Sequence, residues 1–264
     1  MDNFKFKKSY GQNFINDDNI IKNIVKKANI KENSLVLEIG PGAGVLTKEL
    51  AKYAKNVLSY EIDNSLEEIL DENLKDYHNI HIIFDDFLKR DIKEDIKDYN
   101  YDNIYVIANI PYYITTPIIT KIIDSKISFQ EIIIMVQKEV GERFSAKSGT
   151  RDYSSITVFL NYYFDIHKLF DVSRNCFTPK PNVDSVVICF EKKKDKYKLL
   201  DEGLFFDLIR DAFKFKRKNL RNNLKKYNLE VIEKILKQYN KDLTSRAEEL
   251  DVEVFVSLAN ELAK

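Results

Sequence analysis

Ser34-Leu35-Val36-Leu37-Glu38-Ile39-Gly40-Pro41-Gly42-Ala43-Gly44 is an apolar run that ends in a glycine loop. The run predicts a buried strand over 34–39, followed by a tight turn into a helix over 45–53. Glycines at 40, 42 and 44 let the backbone approach a ligand with no Cβ in the way. The spacing departs from the dinucleotide pattern G-x-G-x-x-G, and Pro41 separates the first two glycines. That weakens a nicotinamide or flavin reading. A loop without the pyrophosphate cradle fits a nucleoside ligand better, and S-adenosylmethionine is the expected one.

The flanking sequence alternates in the same way. Helical spacing is read over 20–28, 64–74, 117–123 and 153–161. Strand-like runs fall at 56–62, 80–84, 105–108 and 130–137, with closing strands at 164–169 and 185–190. This alternation predicts a doubly wound, mostly parallel α/β sheet, which binds ligands beyond the carboxyl ends of its strands. A charged stretch at 191–198 reads as a linker. Beyond it the chain reads as all-helical. Phe205, Leu208, Ile209, Ala212 and Phe213 share one face, which Leu220 and Leu224 continue. A second helix is expected over 231–239. Asp251 is the expected N-cap of a third, with Val254, Phe255, Leu258 and Leu262 on one stripe. Two domains follow, 1–191 and 192–264.

Three strand ends carry candidate chemistry. Tyr60-Glu61-Ile62-Asp63 places an acid where a ribose diol could donate two hydrogen bonds. Asp85-Asp86-Phe87 offers a carboxylate for an adenine amine, beside an aromatic ring. One strand-end acid is ordinarily just a cap. A glycine loop and two acids on consecutive strand ends are a more specific signal. The fourth strand leads to Asn109-Ile110-Pro111-Tyr112. The Asn109 amide oxygen can accept one N–H of a planar amine, the backbone carbonyl beside Pro111 the other, and Tyr112 can stack on the ring that bears the amine. Alone, such a tetrapeptide is more often a turn. Beside a methyl-donor loop it suits methylation of an exocyclic nucleobase nitrogen.

Composition narrows the class. The 264 residues are 44% hydrophobic, which supports a sizeable core. No run of 18 apolar residues predicts a membrane span. Met1-Asp2-Asn3-Phe4-Lys5 has no signal-peptide core, so the cytoplasm is the expected compartment. Cys176 and Cys189 suggest neither a disulfide framework nor a metal cluster, and His78, His81 and His167 form no ligand set. Formal net charge is zero, but it is unevenly spread. Acids crowd between Glu61 and Asp102. Lys192, Lys193, Lys194, Lys196, Lys198, Lys214, Lys216, Arg217, Lys218, Arg221, Lys225 and Lys226 form a basic stretch. A phosphate backbone responds to such a local field; a solvated lysine-rich surface is the plain alternative.

Taken in order, these motifs resemble the KsgA-type 16S ribosomal RNA adenine dimethyltransferases nearly end to end. The resemblance is carried by Tyr10-Gly11-Gln12-Asn13-Phe14, Glu38 to Gly44, Asn109 to Tyr112, Val136-Gln137-Lys138-Glu139-Val140, Phe177-Thr178-Pro179-Lys180-Pro181-Asn182-Val183-Asp184-Ser185, Lys216 to Leu224 and Arg246-Ala247-Glu248-Glu249-Leu250. It implies a Rossmann-like class I adenosylmethionine-dependent methyltransferase sheet with a small C-terminal all-helical domain. It further implies cofactor contacts from Asn13, Ile15, Gly40, Gly42, Glu61, Asp86 and Asn109, and no metal. Ile15 and Ile110 stand where leucine is more usual, a volume-conserving exchange. The implied substrate is 16S rRNA in the 30S subunit or its precursor, at two adjacent adenosines of the 3′-terminal hairpin. Asn109, Pro111 and Tyr112 would hold the base; Phe177, in the Phe-x-Pro-x-Pro segment, is the candidate for its other face, with core packing as the plain alternative. Arg217, Lys218 and Arg221 would grip RNA phosphates, and a monomer with a role in small-subunit biogenesis is expected. The rivals are an Erm-type 23S rRNA methyltransferase, a DNA adenine methyltransferase (disfavoured by Ile110) and a non-catalytic ribosome-assembly factor.

Overall fold

The computed structural model describes residues 13–193 and 197–264. Tyr10, Gly11 and Gln12 of the first motif, and Lys194 and Lys196 of the basic stretch, lie outside them. The chain divides into two compact units, Met1–Gly141 with His167–Glu191, and Glu142–Ile166 with Lys192–Lys264.

Among the described residues the chain has nine strands, nearly all within the first unit: β1 (Phe14–Ile15), β2 (Ser34–Ile39), β3 (Asn56–Glu61), β4 (Ile80–Phe84), β5 (Asn103–Asn109), β6 (Glu131–Gln137), β7 (Phe164–Val172), β8 (Phe177–Thr178) and β9 (Ser185–Lys192). Seven form one sheet in the order β4-β3-β2-β5-β6-β9-β7; β1 and β8 pair separately. β2 is an interior strand, flanked by β3 and β5, and every one of its residues is buried. This is the burial of a parallel strand covered on both faces, and it explains why its sequence does not alternate. β2 runs parallel to β3 and β5, with Leu37 opposite Leu58 on one side and Val106 on the other. By contrast β9 runs antiparallel to β6, placing Met135 opposite Val187. Val36, Leu37, Val106, Ile107, Ile134 and Met135 are fully buried. Each such side chain contributes about 1.5–3 kcal/mol by leaving water.

Strand order runs 4-3-2 and then jumps to 5-6, so the switch point lies between β2 and β5. The loops after those two strands diverge and leave a crevice at their carboxyl ends. A Cβ built on Gly40, after β2, would lie 4.0 Å from the Asn109 carbonyl oxygen at the end of β5. The glycine loop and the Asn109 tetrapeptide therefore run side by side.

The second unit packs the helices Ser155–Tyr163, Glu202–Ala212, Leu229–Gln238 and Val252–Leu262 around Phe205, Leu208, Leu236, Phe255 and Leu258. Two expectations change here. The helical unit is larger than 192–264, because Tyr153 and Val158 bury their side chains in the same core and bring 142–166 with them. The apolar face over 205–224 is not one helix. The first helix ends at Ala212, and Asn219 caps a separate turn of helix, Leu220–Asn223, by accepting the Asn222 N–H. Asp251 does occupy the N-cap position of the last helix, but its side chain makes no capping hydrogen bond.

Candidate active site

A cleft of about 1100 Å³, open solvent included, lies at the switch point of the first unit. Its lining includes Asn13, Ile15, Gly40, Gly42, Glu61, Asp86, Asn109, Pro111 and Tyr112. Glycine is required at 42 for two reasons. Its φ is +59°, and a Cβ there would stand 2.5 Å from the ring of Phe14. The aromatic ring and the glycine backbone approach this closely only because no side chain intervenes.

Glu61, at the end of β3, is 5% exposed. Its Oε2 accepts the Gly42 N–H at 3.2 Å and its Oε1 accepts the Asp63 N–H at 2.9 Å. The carboxylate thus ties the glycine loop to the next strand end. Burial raises its pKa, and the two N–H donors oppose that rise. Each oxygen keeps lone-pair capacity for a further donor. Asp86 accepts the Leu88 N–H at 3.0 Å and caps the short turn Phe87–Lys89. Capping and ligand binding are compatible, since only one carboxylate oxygen is engaged by the cap. Phe87 meets Tyr60 edge to face at 5.0 Å, so its ring is also committed to the wall.

Beneath the glycine loop lies Glu38, 1% exposed. Ser59 donates to its Oε2 at 2.8 Å, and the Thr47 hydroxyl also stands beside the carboxyl. Burial pushes this carboxyl up to about 7. Sequence reading placed Glu38 in the loop motif without a role.

The tetrapeptide is held from two sides. Asn109 Nδ2 donates to the main-chain carbonyl of Asn13 at 3.1 Å. A carbonyl can only accept, so the atom facing it is the nitrogen, and Oδ1 is the acceptor that remains. Tyr112 shares a 2.7 Å hydrogen bond with the hydroxyl of Ser185, a fully buried residue at the start of β9. Sequence reading assigned Ser185 no function; its position at the end of the Phe177–Ser185 motif was the available signal.

Phe177 is elsewhere. It is 3% exposed and belongs to the apolar cluster with Ile21, Val25, Met135 and Val187. Its backbone pairs with Ile15 through the β1–β8 ladder. It does not line the cleft, and the expected second face for a base is not formed by it in this structure. The reason is long-range pairing of β8 with β1, which a reading of the local Phe-x-Pro-x-Pro segment does not reveal.

Arg217 and Lys218 lie in the turn between Ala212 and Leu220, and Arg221 in the following short helix; all three are exposed. None forms an ion pair among the described residues. By contrast Lys226 is bound to Asp211 at 2.7 Å.

The family model described as Ribosomal RNA adenine dimethylase matches residues 3–264. The chain belongs to that family. It is an S-adenosylmethionine-dependent methyltransferase of ribosomal RNA adenine. It is 42% identical to the Ribosomal RNA small subunit methyltransferase A of Bacillus mycoides (strain KBAB4), covering 98% of this chain and 92% of that protein. The same identity and coverage hold for the namesake from Bacillus cereus (strain B4264). A dimethyladenosine transferase from Plasmodium falciparum superposes with a TM-score of 0.78 at 28% identity, covering 93% of this chain and 95% of that one. The 23S rRNA methyltransferase ErmE gives 0.75 at 25%, covering 95% and 100%. Among the described residues no His, Cys, Asp or Glu cluster could hold a metal ion, and no helix is long and apolar enough to cross a membrane.

Proposed function

We propose that this enzyme dimethylates N6 of two adjacent adenosines in the 3′-terminal hairpin of 16S rRNA, acting as a monomer on the 30S subunit or its precursor. The observation that carries the site assignment is the Asn109 amide, fixed by the Asn13 carbonyl with Oδ1 left as an acceptor on the cleft beside the glycine loop.

The cleft suits S-adenosylmethionine. The glycine loop offers a backbone cradle that a Cβ at Gly42 would fill. Glu61 is placed to accept from the ribose hydroxyls, Asp86 to accept from the adenine amine, and Asn13 and Ile15 to close the cleft wall. When bound, S-adenosylmethionine supplies an electrophilic methyl on a sulfonium. The chain's own residues handle the nucleophile. The N6 lone pair of adenine is delocalised into the ring. Asn109 Oδ1 and the Ile110 carbonyl beside Pro111 accept its two N–H bonds and favour a pyramidal nitrogen. Tyr112, anchored by Ser185, stacks on the base, which must leave its own stack to reach the cleft. Transfer is then a matter of alignment, which can lower a barrier by about 7–11 kcal/mol in favourable systems. Arg217, Lys218 and Arg221 hold RNA phosphates.

The rival that a specific observation favours is 23S methylation, because ErmE shares the fold over 95% of this chain. The higher identity to the small-subunit enzymes supports the 16S reading. The deciding experiment incubates the enzyme with labelled S-adenosylmethionine and either undermethylated 30S or 50S subunits, then maps the modified bases. Label confined to two adjacent adenosines of the 16S 3′ hairpin is expected; label on 50S material would replace the proposal with the Erm-type reading. A catalytically inactive but folded variant, scored for small-subunit maturation, separates a role in biogenesis from the chemistry.

A further inference from the structure

Phe215 is a large apolar side chain left 57% exposed in the middle of the most basic turn of the chain. Its neighbours are Lys214, Lys216, Arg217 and Lys218. A single exposed apolar side chain is ordinary on a protein surface; what sets Phe215 apart is that its ring stands among four cations on a fixed turn.

The turn is held in shape. Asn223 Nδ2 reaches the carbonyls of Ala212 at 2.6 Å, Phe215 at 3.3 Å and Lys218 at 3.5 Å. The Lys218 N–H closes onto the Phe215 carbonyl at 2.8 Å. Lys216 Nζ donates to the carbonyl of Arg151 at 3.2 Å. One side-chain amide thus gathers the carbonyls at the start, the middle and the end of the turn, and Phe215 projects from a backbone that is fixed. Lys214 Nζ lies 5.7 Å from the centre of its ring, which places positive charge at the ring rather than a covering apolar group.

We propose that Phe215 stacks on an unpaired base of the ribosomal RNA while the surrounding cations hold the adjoining phosphates. The inference rests on the rRNA-binding role proposed above and adds a base contact to it. An aromatic ring interleaved with cations is the arrangement by which proteins bind single-stranded nucleic acid. The charges track the backbone, and the ring supplies a sequence-tolerant platform. A double-helical segment would offer phosphates but no open base face, so the contact selects a loop, bulge or end. A protein partner of acidic character would match the cations but has no use for an isolated ring that does not sit in an apolar patch.

The chain contains no tryptophan, so Phe215→Trp installs a single fluorescent reporter at the position itself. Titration with undermethylated 30S subunits is expected to quench its emission, as stacking on a base does, with affinity close to that of the natural enzyme. Phe215→Ala and Phe215→Leu are expected to bind about 5- to 150-fold more weakly, with the salt dependence of binding unchanged because no charge is removed. Arg217→Gln with Lys218→Gln should do the reverse and flatten the salt dependence. Wild-type affinity for Phe215→Ala, full rescue by leucine, or a blue shift of the tryptophan without quenching (burial against protein) would each overturn the stacking proposal. If the natural enzyme itself neither binds nor methylates 30S subunits, the function proposed above fails instead, and the two failures are told apart by that control.

Discussion

The side-chain nitrogen of Asn109 is bonded to the main-chain carbonyl of Asn13, 96 residues earlier in the chain, at 3.1 Å. The bond fixes which end of the amide faces the cleft. Replacing Asn109 by alanine removes an acceptor for the target amine but leaves Glu61, Asp86 and the glycine loop in place. Methyl transfer should fall by about 100- to 1000-fold, the usual effect of deleting one preorganised polar group from a site. The dissociation constant for S-adenosylmethionine should rise by less than about tenfold. Single-turnover rates and calorimetric titration measure the two quantities separately. An Asn109→Ala enzyme that still dimethylates near the natural rate would remove Asn109 from the mechanism.

The close approach of Gly42 to the Phe14 ring makes a second test. Gly42→Ala must adopt a φ of +59° and push its methyl into a ring 2.5 Å away. The strain should cost about 1–3 kcal/mol, read as a lower unfolding midpoint and weaker cofactor binding. The double variant Gly42→Ala with Phe14→Ala relieves the collision and should recover part of both losses. No recovery would mean that backbone conformation, and not the ring, sets the requirement for glycine.

Much of this arrangement is legible in the sequence because the sheet is built from contiguous apolar runs. Ser34–Ile39 and Ile80–Phe84 are strands at the residues where the pattern ends, and the acids and the amide follow from their places at strand ends. What the sequence hides is decided by partners far along the chain. Ile15 and Phe177 pair across 162 positions, and neither two-residue strand has a pattern of its own. Residues 142–166 join the helical unit through Tyr153 and Val158 with no change of composition to mark the boundary. The break after Ala212 did leave a trace. Phe213 and Phe215 are two apart, which no helical face accommodates, and Asn219 is a capping residue.

Glu38 gives the protein a distinctive pH dependence. Its carboxyl titrates near 7 in the folded chain because it is buried, against 4.5 when unperturbed. Between those values the folded state holds a proton that the unfolded state has released, so stability falls as pH rises through this window and levels off above it. The shift corresponds to about 3 kcal/mol across the window. In Glu38→Gln the group no longer titrates. Urea unfolding at pH 5 and pH 8 should show the natural enzyme losing about 2.5 kcal/mol more than the variant over that interval. Equal losses in both proteins would mean that Glu38 keeps an ordinary carboxyl pKa in the folded state.

Arg217, Lys218 and Arg221 are exposed and form no ion pair within 4 Å among the described residues, although Arg221 is near enough to Asp242 to help lower its pKa. Joint replacement by glutamine should weaken 30S binding. It should also lower the slope of log affinity against log salt by about 2, at roughly 0.7–0.9 for each phosphate no longer neutralised. Filter binding at several salt concentrations supplies the slope. An unchanged slope would place the RNA grip on other cations of the chain.

Phe177 divides two accounts of the Phe-x-Pro-x-Pro segment. The structure buries its ring among Ile21, Val25, Met135 and Val187. Phe177→Ala should therefore cost about 3–5 kcal/mol of stability, the range for emptying an aromatic site in a core. That variant alone decides little, because a misfolded enzyme loses activity for any reason. Phe177→Leu is the sharper probe. It keeps an apolar side chain in the cluster and should cost clearly less stability than alanine does, but it cannot stack on a base. If Phe177 serves only the core and the β1–β8 ladder, the leucine enzyme should methylate 30S subunits at nearly the natural rate. A folded Phe177→Leu enzyme with its rate down tenfold or more would mean that the ring leaves the core during turnover.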